Sequence, residues 1–149
     1  MALLSGEYPA TLDEKNRVNI PARFREGIPD NTLVLTRGMM ERCIWALTPE
    51  NWEKLANNLK NAVSLPMKKT DMVYHRLLFS TFEAEIDKIG RLALPQKLKD
   101  WAALSKDVVI TSDGVRIEIW DKQHHAEYEE ASDEQFDNIL EEIGPIALY

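Results

Sequence analysis

The sequence predicts an α+β fold with a mainly β core, in which two copies of one unit form a pseudo-dimer within the chain and helices are added around them. Three observations carry this. Shifting the chain by 74 positions lays Leu12-Asp13-x-x-x-Arg17-Val18-x-Ile20-Pro21 on Ile86-Asp87-x-x-x-Arg91-Leu92-x-Leu94-Pro95, with Arg23 on Lys97 and Phe24 on Leu98. One further position of shift lays Leu33-Val34-Leu35-Thr36 on Val108-Val109-Ile110-Thr111, and Ile44-Trp45 on Ile119-Trp120. Each copy alone is too small to bury much core, so two copies are expected to pair and share one.

Each copy reads as two strands, a short helix and two more strands. Glu7 to Leu12, and Glu83 to Ile86, read as strands entering a polar turn. Val18 and Ile20 then alternate with Asn19, as Leu92 and Leu94 do with Ala93, which is strand spacing. Pro21 and Pro95 suit the first turn of a helix, where a missing N–H costs nothing. Gly27 ends the first short helix; the second runs from Pro95 to about Ala102. Strands follow at 33–37 and 43–47, and at 107–111 and 116–120, the second pair joined by the hairpin signal Asp113-Gly114. Between the copies, Thr48-Pro49 starts a helix with Trp52, Leu55, Ala56, Leu59 and Val63 along one face. A second helix carries Met72, Val73, Arg76, Leu77 and Phe79. Asp121 caps a helix to about Ala131. Ser132-x-x-Gln135 is a capping-box pattern for another, with Phe136, Ile139, Leu140 and Ile143 on one side and Gly144-Pro145 at its end. That amphipathic helix is expected to pack on the core or to cover a neighbouring subunit.

Composition excludes several classes of function. The 149 residues are 44% hydrophobic, and no apolar run approaches the ~18–20 residues of a membrane span. The start, Met1 to Glu7, lacks the basic and long apolar regions of a signal peptide. A single cysteine, Cys43, fits a reducing cytoplasm. The net charge of −7 argues at first against a nucleic-acid partner. However, residues 127–149 hold eight acids and no Lys or Arg, and the other 126 residues hold 17 acids against 18 bases. The body can therefore carry a basic face. The acidic end reads as a solvated helix face, or as an arm that competes with DNA for that basic face. No catalytic constellation is found: His75 sits in a helical stretch, and the adjacent His124 and His125 face different ways and make a poor metal pair. No enzyme activity, metal, cofactor, small-molecule substrate or membrane partner is expected.

The repeated Asp-x-x-x-Arg turn is the informative motif. Asp13 and Asp87 are read as turn architecture, accepting amide hydrogen bonds and pairing with the arginine across a tight hairpin. Asn16 and Gly90, at the middle of the two turns, tolerate a left-handed backbone. A hairpin that needs only one ion pair does not need so many bases. Lys15, Arg17, Arg23 and Arg25 cluster in the first copy, and Lys88, Arg91, Lys97 and Lys99 in the second. From these, Lys15, Arg17, Arg23, Arg25, Lys88 and Arg91 are the candidate DNA-binding residues, suited to phosphates and guanine edges. Each subunit would neutralise few phosphates, so affinity would require several subunits on repeated sites.

These residues resemble the MraZ family, built from two AbrB-like swapped-hairpin domains. The resemblance is carried by Gly6-Glu7-Tyr8, the two Asp-x-x-x-Arg segments with their prolines, Leu33 to Gly38, Trp52-Glu53-Lys54-Leu55 and Glu118-Ile119-Trp120-Asp121. It implies two interlocked β-α-β units: a first AbrB-like domain at 5–54, a helical linker at 55–80, a second domain at 81–126 and an acidic helical region at 127–149. It further implies a nucleoid-associated transcriptional regulator of the division and cell-wall gene cluster. Such a regulator binds double-stranded DNA at direct repeats in its own promoter, as a homo-oligomer closed into a ring. Lys15, Arg17, Lys88 and Arg91 would face the DNA. Asn16 departs from the glycine usual in the family. The competing readings are an oligomeric interaction or scaffold protein without specific DNA binding, and an AbrB-like antitoxin.

Overall fold

The structure, a computed structural model, describes residues 3–62 and 64–146. Met1 and Ala2 of the N-terminal segment, Val63 of the helical stripe and residues 147–149 of the acidic region lie outside the described residues. In chain order the first copy contains β1 (Ser5–Thr11), β2 (Arg17–Asn19), α1 (Ala22–Arg25), β3 (Thr32–Arg37) and β4 (Ile44–Leu47). Helices α2 (Pro49–Ala62) and α3 (Met67–Leu77) follow. The second copy contains β5 (Phe82–Glu85), β6 (Arg91–Ala93), α4 (Gln96–Trp101), β7 (Asp107–Asp113) and β8 (Ile117–Asp121), and α5 (Lys122–Ile143) completes the chain.

The two copies are interlocked rather than adjacent. The main sheet runs β1-β7-β8-β4-β3-β5, so each copy lends its first strand to the other copy's third. Reversing that order and exchanging the copies returns the same order. Its axis can be located from register. Val18 pairs with Leu92, its own counterpart at a shift of 74, and Ile44 pairs with Ile119, its counterpart at 75. A pseudo-two-fold axis therefore passes through both pairs, and the chain is a tandem swapped-hairpin α+β fold.

The core lies around this axis. Val18, Ile20, Phe24, Leu92, Leu94 and Leu98 are buried, and they are three repeat-related pairs. Phe24 is fully buried, with the Tyr8 ring edge-on at 5.2 Å between centroids. On the other side of the sheet Trp52 and Leu55 of α2 pack against Cys43, Trp45, Leu47 and Trp120. Thr48 caps α2 as expected, its Oγ1 accepting from the Asn51 N–H at 3.2 Å.

Several expectations change. The Asp-x-x-x-Arg turns do not join paired hairpin strands, because β1 pairs with β7 and β2 with β6. Pro21 and Pro95 stand one position before their helices, with ψ near 138–139°. There their carbonyls accept the first helical amide bonds, from Phe24 and Arg25 and from Leu98 and Lys99. On α3, Val73 and Leu77 are half-buried while Met72 and Arg76 face outward, and Phe79 lies beyond the helix end. The two helices expected after Asp121 are one. Asp121 caps it through the His124 N–H, but Ser132 is mid-helix and its hydroxyl donates back to the Tyr128 carbonyl at 2.8 Å. A serine bonded in this way cannot cap. Gly144, at φ +81°, ends the helix.

Phe24→Ala is expected to lower stability by about 3–5 kcal/mol in urea denaturation, the range for emptying a closed aromatic site. Ser132→Ala is expected to stay within about 0.5 kcal/mol of the parent, since it removes no cap.

Candidate nucleic-acid interface

The two turns have the same construction. In the first, Asp13 Oδ1 accepts from the Lys15 and Arg17 amides at 2.9 and 2.8 Å, and Oδ2 accepts from Arg17 Nε at 2.7 Å. In the second, Asp87 Oδ1 accepts from the Ile89 and Arg91 amides at 3.1 and 2.8 Å, and Oδ2 accepts from Arg91 Nε at 2.8 Å. The Arg17 amide, and then its side chain and the Lys15 amide, hold the Asp13 carboxyl below its ordinary pKa despite some desolvation. The Arg91 and Ile89 groups do the same for Asp87. The apex residues Asn16 and Gly90 sit at φ +58° and +94°.

Each apex is tied to the other copy. The Asn16 carbonyl accepts from the Leu94 amide, and the Gly90 carbonyl from the Ile20 amide, both at 2.9 Å. Each turn is also braced from across the axis, the second by packing and the first by hydrogen bonds. Arg25 donates Nε to the Ile20 carbonyl at 3.1 Å, and its guanidinium lies over Gly90, where an added Cβ would come within 2.9 Å of it. Its repeat counterpart Lys99 donates to Asn16 Oδ1 at 2.9 Å, while Asn16 Nδ2 donates to Gln96. The site is thus a junction between copies, and neither turn is complete alone.

The junction sets the direction of the arginines. Val18 and Leu92 face inward, so Arg17, Asn19, Arg91 and Ala93 share the outer face of the β2–β6 ribbon by strand alternation. Arg17 is opposite Ala93 and Arg91 opposite Asn19, which makes the two arginines diagonal neighbours, about 7–8 Å apart. The aspartates engage only the Nε atoms; among the described residues no hydrogen bond reaches the terminal guanidinium nitrogens. Lys15 and Lys88 are exposed beside them and form no ion pair among the described residues. Arg23 is exposed but donates to the Tyr8 hydroxyl at 2.7 Å. Of the six candidate bases, the structure therefore groups Arg17, Arg91, Lys15 and Lys88 at the turns, ties Arg23 to β1 and uses Arg25 as a brace. The bracing by Lys99 and Gln96 was not read from the sequence. The 74-residue shift, which places Lys99 on Arg25, is the signal that could have found it.

The histidines separate as expected: His124 faces Glu41, and the buried His125 lies between Glu7 at 3.7 Å and Glu129 at 3.2 Å. Glu7, His125 and Glu129 are close enough to be weighed as a metal site. Glu7 stands nearest Nε2 and Glu129 nearest Nδ1, so a separate carboxylate faces each ring nitrogen. Burial pushes the Cys43 thiol well above its ordinary pKa, which makes it a poor nucleophile. None of the described helices is long and apolar enough to cross a membrane.

Gly90→Ala is expected to lower stability by about 1–2 kcal/mol, because a side chain there meets both a left-handed backbone and the Arg25 guanidinium. The double change Asp13→Asn and Asp87→Asn should remove part of the pH dependence of unfolding. The depressed carboxyls stabilise the fold above the ordinary carboxylate pKa, and that contribution is lost as pH falls through their lowered folded values. The stability gap between parent and double variant should therefore be widest near neutral pH and close in acid, as followed by urea titrations at several pH values.

Comparison with known proteins agrees with this architecture. Residues 3–74 and 77–143 match, as two successive segments, the family described as "MraZ protein, putative antitoxin-like". Three curated relatives, each named transcriptional regulator MraZ, match nearly end to end. The protein of Treponema denticola is 37% identical over 97% of this chain and 100% of its own. That of Natranaerobius thermophilus is 40% identical over 95% and 96%, and that of Oenococcus oeni 39% over 98% and 100%. These names describe regulators, in agreement with the expectation that the chain is not an enzyme. A solved structure, the solution structure of PHS018 from Pyrococcus horikoshii, is 17% identical over 80% of this chain and 89% of its own, with a TM-score of 0.32, too low to bear on the fold. Two family segments in tandem, near-complete coverage of three relatives and a sheet that interlocks the two copies show that the chain belongs to the MraZ family.

Proposed function

We propose that the chain is a transcriptional regulator that binds double-stranded DNA through the outer face of the β2–β6 ribbon and its two turns. The observation that carries this is the pair of arginines at the junction. Arg17 and Arg91 leave one face about 7–8 Å apart, each with Nε held by an aspartate and its terminal nitrogens open. A guanidinium fixed on one side is pre-organised to give its other donors to a phosphate, or to O6 and N7 of guanine. Lys15 and Lys88, exposed and mobile on their stems, suit phosphate contacts that position the protein without reading sequence. Arg23 and Arg25 contribute through the shape and charge of the face, since each already has a partner within the chain.

A single chain offers few cations. Useful affinity at cellular salt then requires several chains on one DNA, which suits a homo-oligomer on direct repeats in the promoter of its own cluster. The names of the relatives support regulation, and the repeated turns support a repeated operator. This reading places the protein at the nucleoid.

The test is a binding titration with DNA from upstream of its own gene. Arg17→Ala and Arg91→Ala should each weaken binding by about 1–3 kcal/mol, or roughly 5- to 150-fold, with the assembly unchanged in light scattering. Lys15→Ala and Lys88→Ala should weaken binding to all sequences alike and lower the log–log salt slope by about 1 each. Unaltered DNA binding in the two arginine variants would end this reading. Loss of assembly at unaltered intrinsic DNA affinity would assign the turns to subunit contacts.

A further inference from the structure

The second half of α5 has no partner. His125 is buried and Tyr128 lies against Trp120 with ring centroids 5.0 Å apart, which anchors the helix at its start. Every residue from Asp133 to Ile143 is exposed, and among the described residues no hydrogen bond or ion pair joins this stretch to the body. Those eleven residues extend about 16 Å as a helical arm. Its face is not that of a solvated helix. Phe136, Ile139, Leu140 and Ile143 form an apolar stripe, with Phe136 at 56% and Ile143 at 61% exposure. Asp133 and Asp137 flank the stripe, about 60° and 100° around the helix from Phe136.

Elsewhere on the chain stands a surface of the opposite character. Three guanidiniums surround the Trp101 ring: Arg76 at 4.2 Å from its centroid, Arg42 at 4.6 Å and Arg37 at 5.0 Å. They come from α3, the β3–β4 loop and the end of β3. Ring stacking supports each cation, but gathering three of them on one ring carries mutual repulsion that only solvent screens among the described residues. No carboxylate among the described residues pairs with any, and Arg37 Nε and Trp101 Nε1 are buried without a hydrogen-bond partner. Exposed apolar side chains accompany the cluster. Met72 lies one turn before Arg76 on the same face of α3, and Met40, 92% exposed, lies in the loop with Arg42.

We infer that the Arg37–Arg42–Arg76–Trp101 surface receives the acidic α5 arm of a second copy of this chain, with Asp133 and Asp137 entering among the guanidiniums and the Phe136–Ile143 stripe covering the methionines. The inference deepens the assembly in the DNA-binding reading and rests on that reading only for the role of the assembly. Charge decides between occupants. An arm with five acids and no bases in residues 133–143 repels another arm, whereas the guanidinium cluster supplies the cations it lacks. The arm also runs on from an anchored, unbroken helix, so its own chain does not receive it. A contact in which one surface meets a different surface of the next copy is head-to-tail, and it closes into a ring when the rotation permits.

The test uses the full chain and two exposed double variants, Arg42→Glu with Arg76→Glu and Asp133→Arg with Asp137→Arg. Light scattering at low salt should show the parent as an assembly and each variant at or near the single-chain mass. An equimolar mixture of the two should regain mass, because each reversed surface then meets a reversed partner. Circular dichroism guards against misfolding, and the mixing result cannot come from misfolded chains. A single-chain parent, unaltered mass in the variants or no recovery on mixing would overturn the inference. So would a patch variant that keeps its mass but loses DNA affinity, which would make the cluster a phosphate site. Failure here leaves the Arg17→Ala and Arg91→Ala titration free to succeed, and the reverse also holds.

Discussion

The Val18–Leu92 pair is the constraint on which the rest depends. Two strands of three residues meet there, and each presents to the other its own repeat counterpart. Three consequences follow from that one register. The side chains of the pair must point into the core, so the arginines beside them must point out. The strands that precede the turns are carried across to the opposite copy, which builds the six-stranded sheet. Finally, the apex carbonyls of the turns fall within reach of the Ile20 and Leu94 amides. A slip of one residue would send Arg17 and Arg91 inward and both apolar residues outward, so the register is fixed by burial as well as by hydrogen bonds.

Much of this was legible in the sequence because repetition is a long-range signal. The shifts of 74 and 75 are visible without structure, and they are also the sequence separations of the two pairs on the axis. The strands, the caps at Thr48 and Asp121 and the asparagine and glycine at the turn apices are local signals, and they survived folding. What failed was the assumption that a turn joins strands that pair with each other. Exchange between copies leaves the local pattern unchanged, so alternation alone does not reveal which strand is the partner. Ser132 misled for a related reason. A serine with a downstream glutamine has the pattern of a helix start, but the residues before it, from Lys122 on, already form a helix that the cap at Asp121 had nucleated.

The candidate site divides along the same line. The role of the turn in holding the backbone can be read from the motif, because an aspartate two and four residues before the amides it accepts is a local device. The bracing of each apex by Arg25 or Lys99 depends on side chains that reach across from the opposite copy. The gathering of Arg37, Arg42, Arg76 and Trp101 was equally hidden, since these residues come from four separate segments brought together by the fold. Arg25 shows why a count of bases overstates a binding face: a cation already engaged with a buried carbonyl and packed on a glycine has less to offer a ligand than one whose donors remain open.

Interlocking also bears on how the chain is made. Ser5 pairs with Asp113, and Val18 with Leu92, so the first copy emerges during synthesis with β1 and β2 unpaired and its core residues uncovered, only β3 and β4 having each other as partners. It cannot complete its fold until nearly the whole second copy has followed. Such distant pairing slows folding and lengthens exposure of sticky strands. Fusing both copies in one chain limits that interval, because the missing half arrives on the same polypeptide at a fixed high local concentration and need not be found by diffusion.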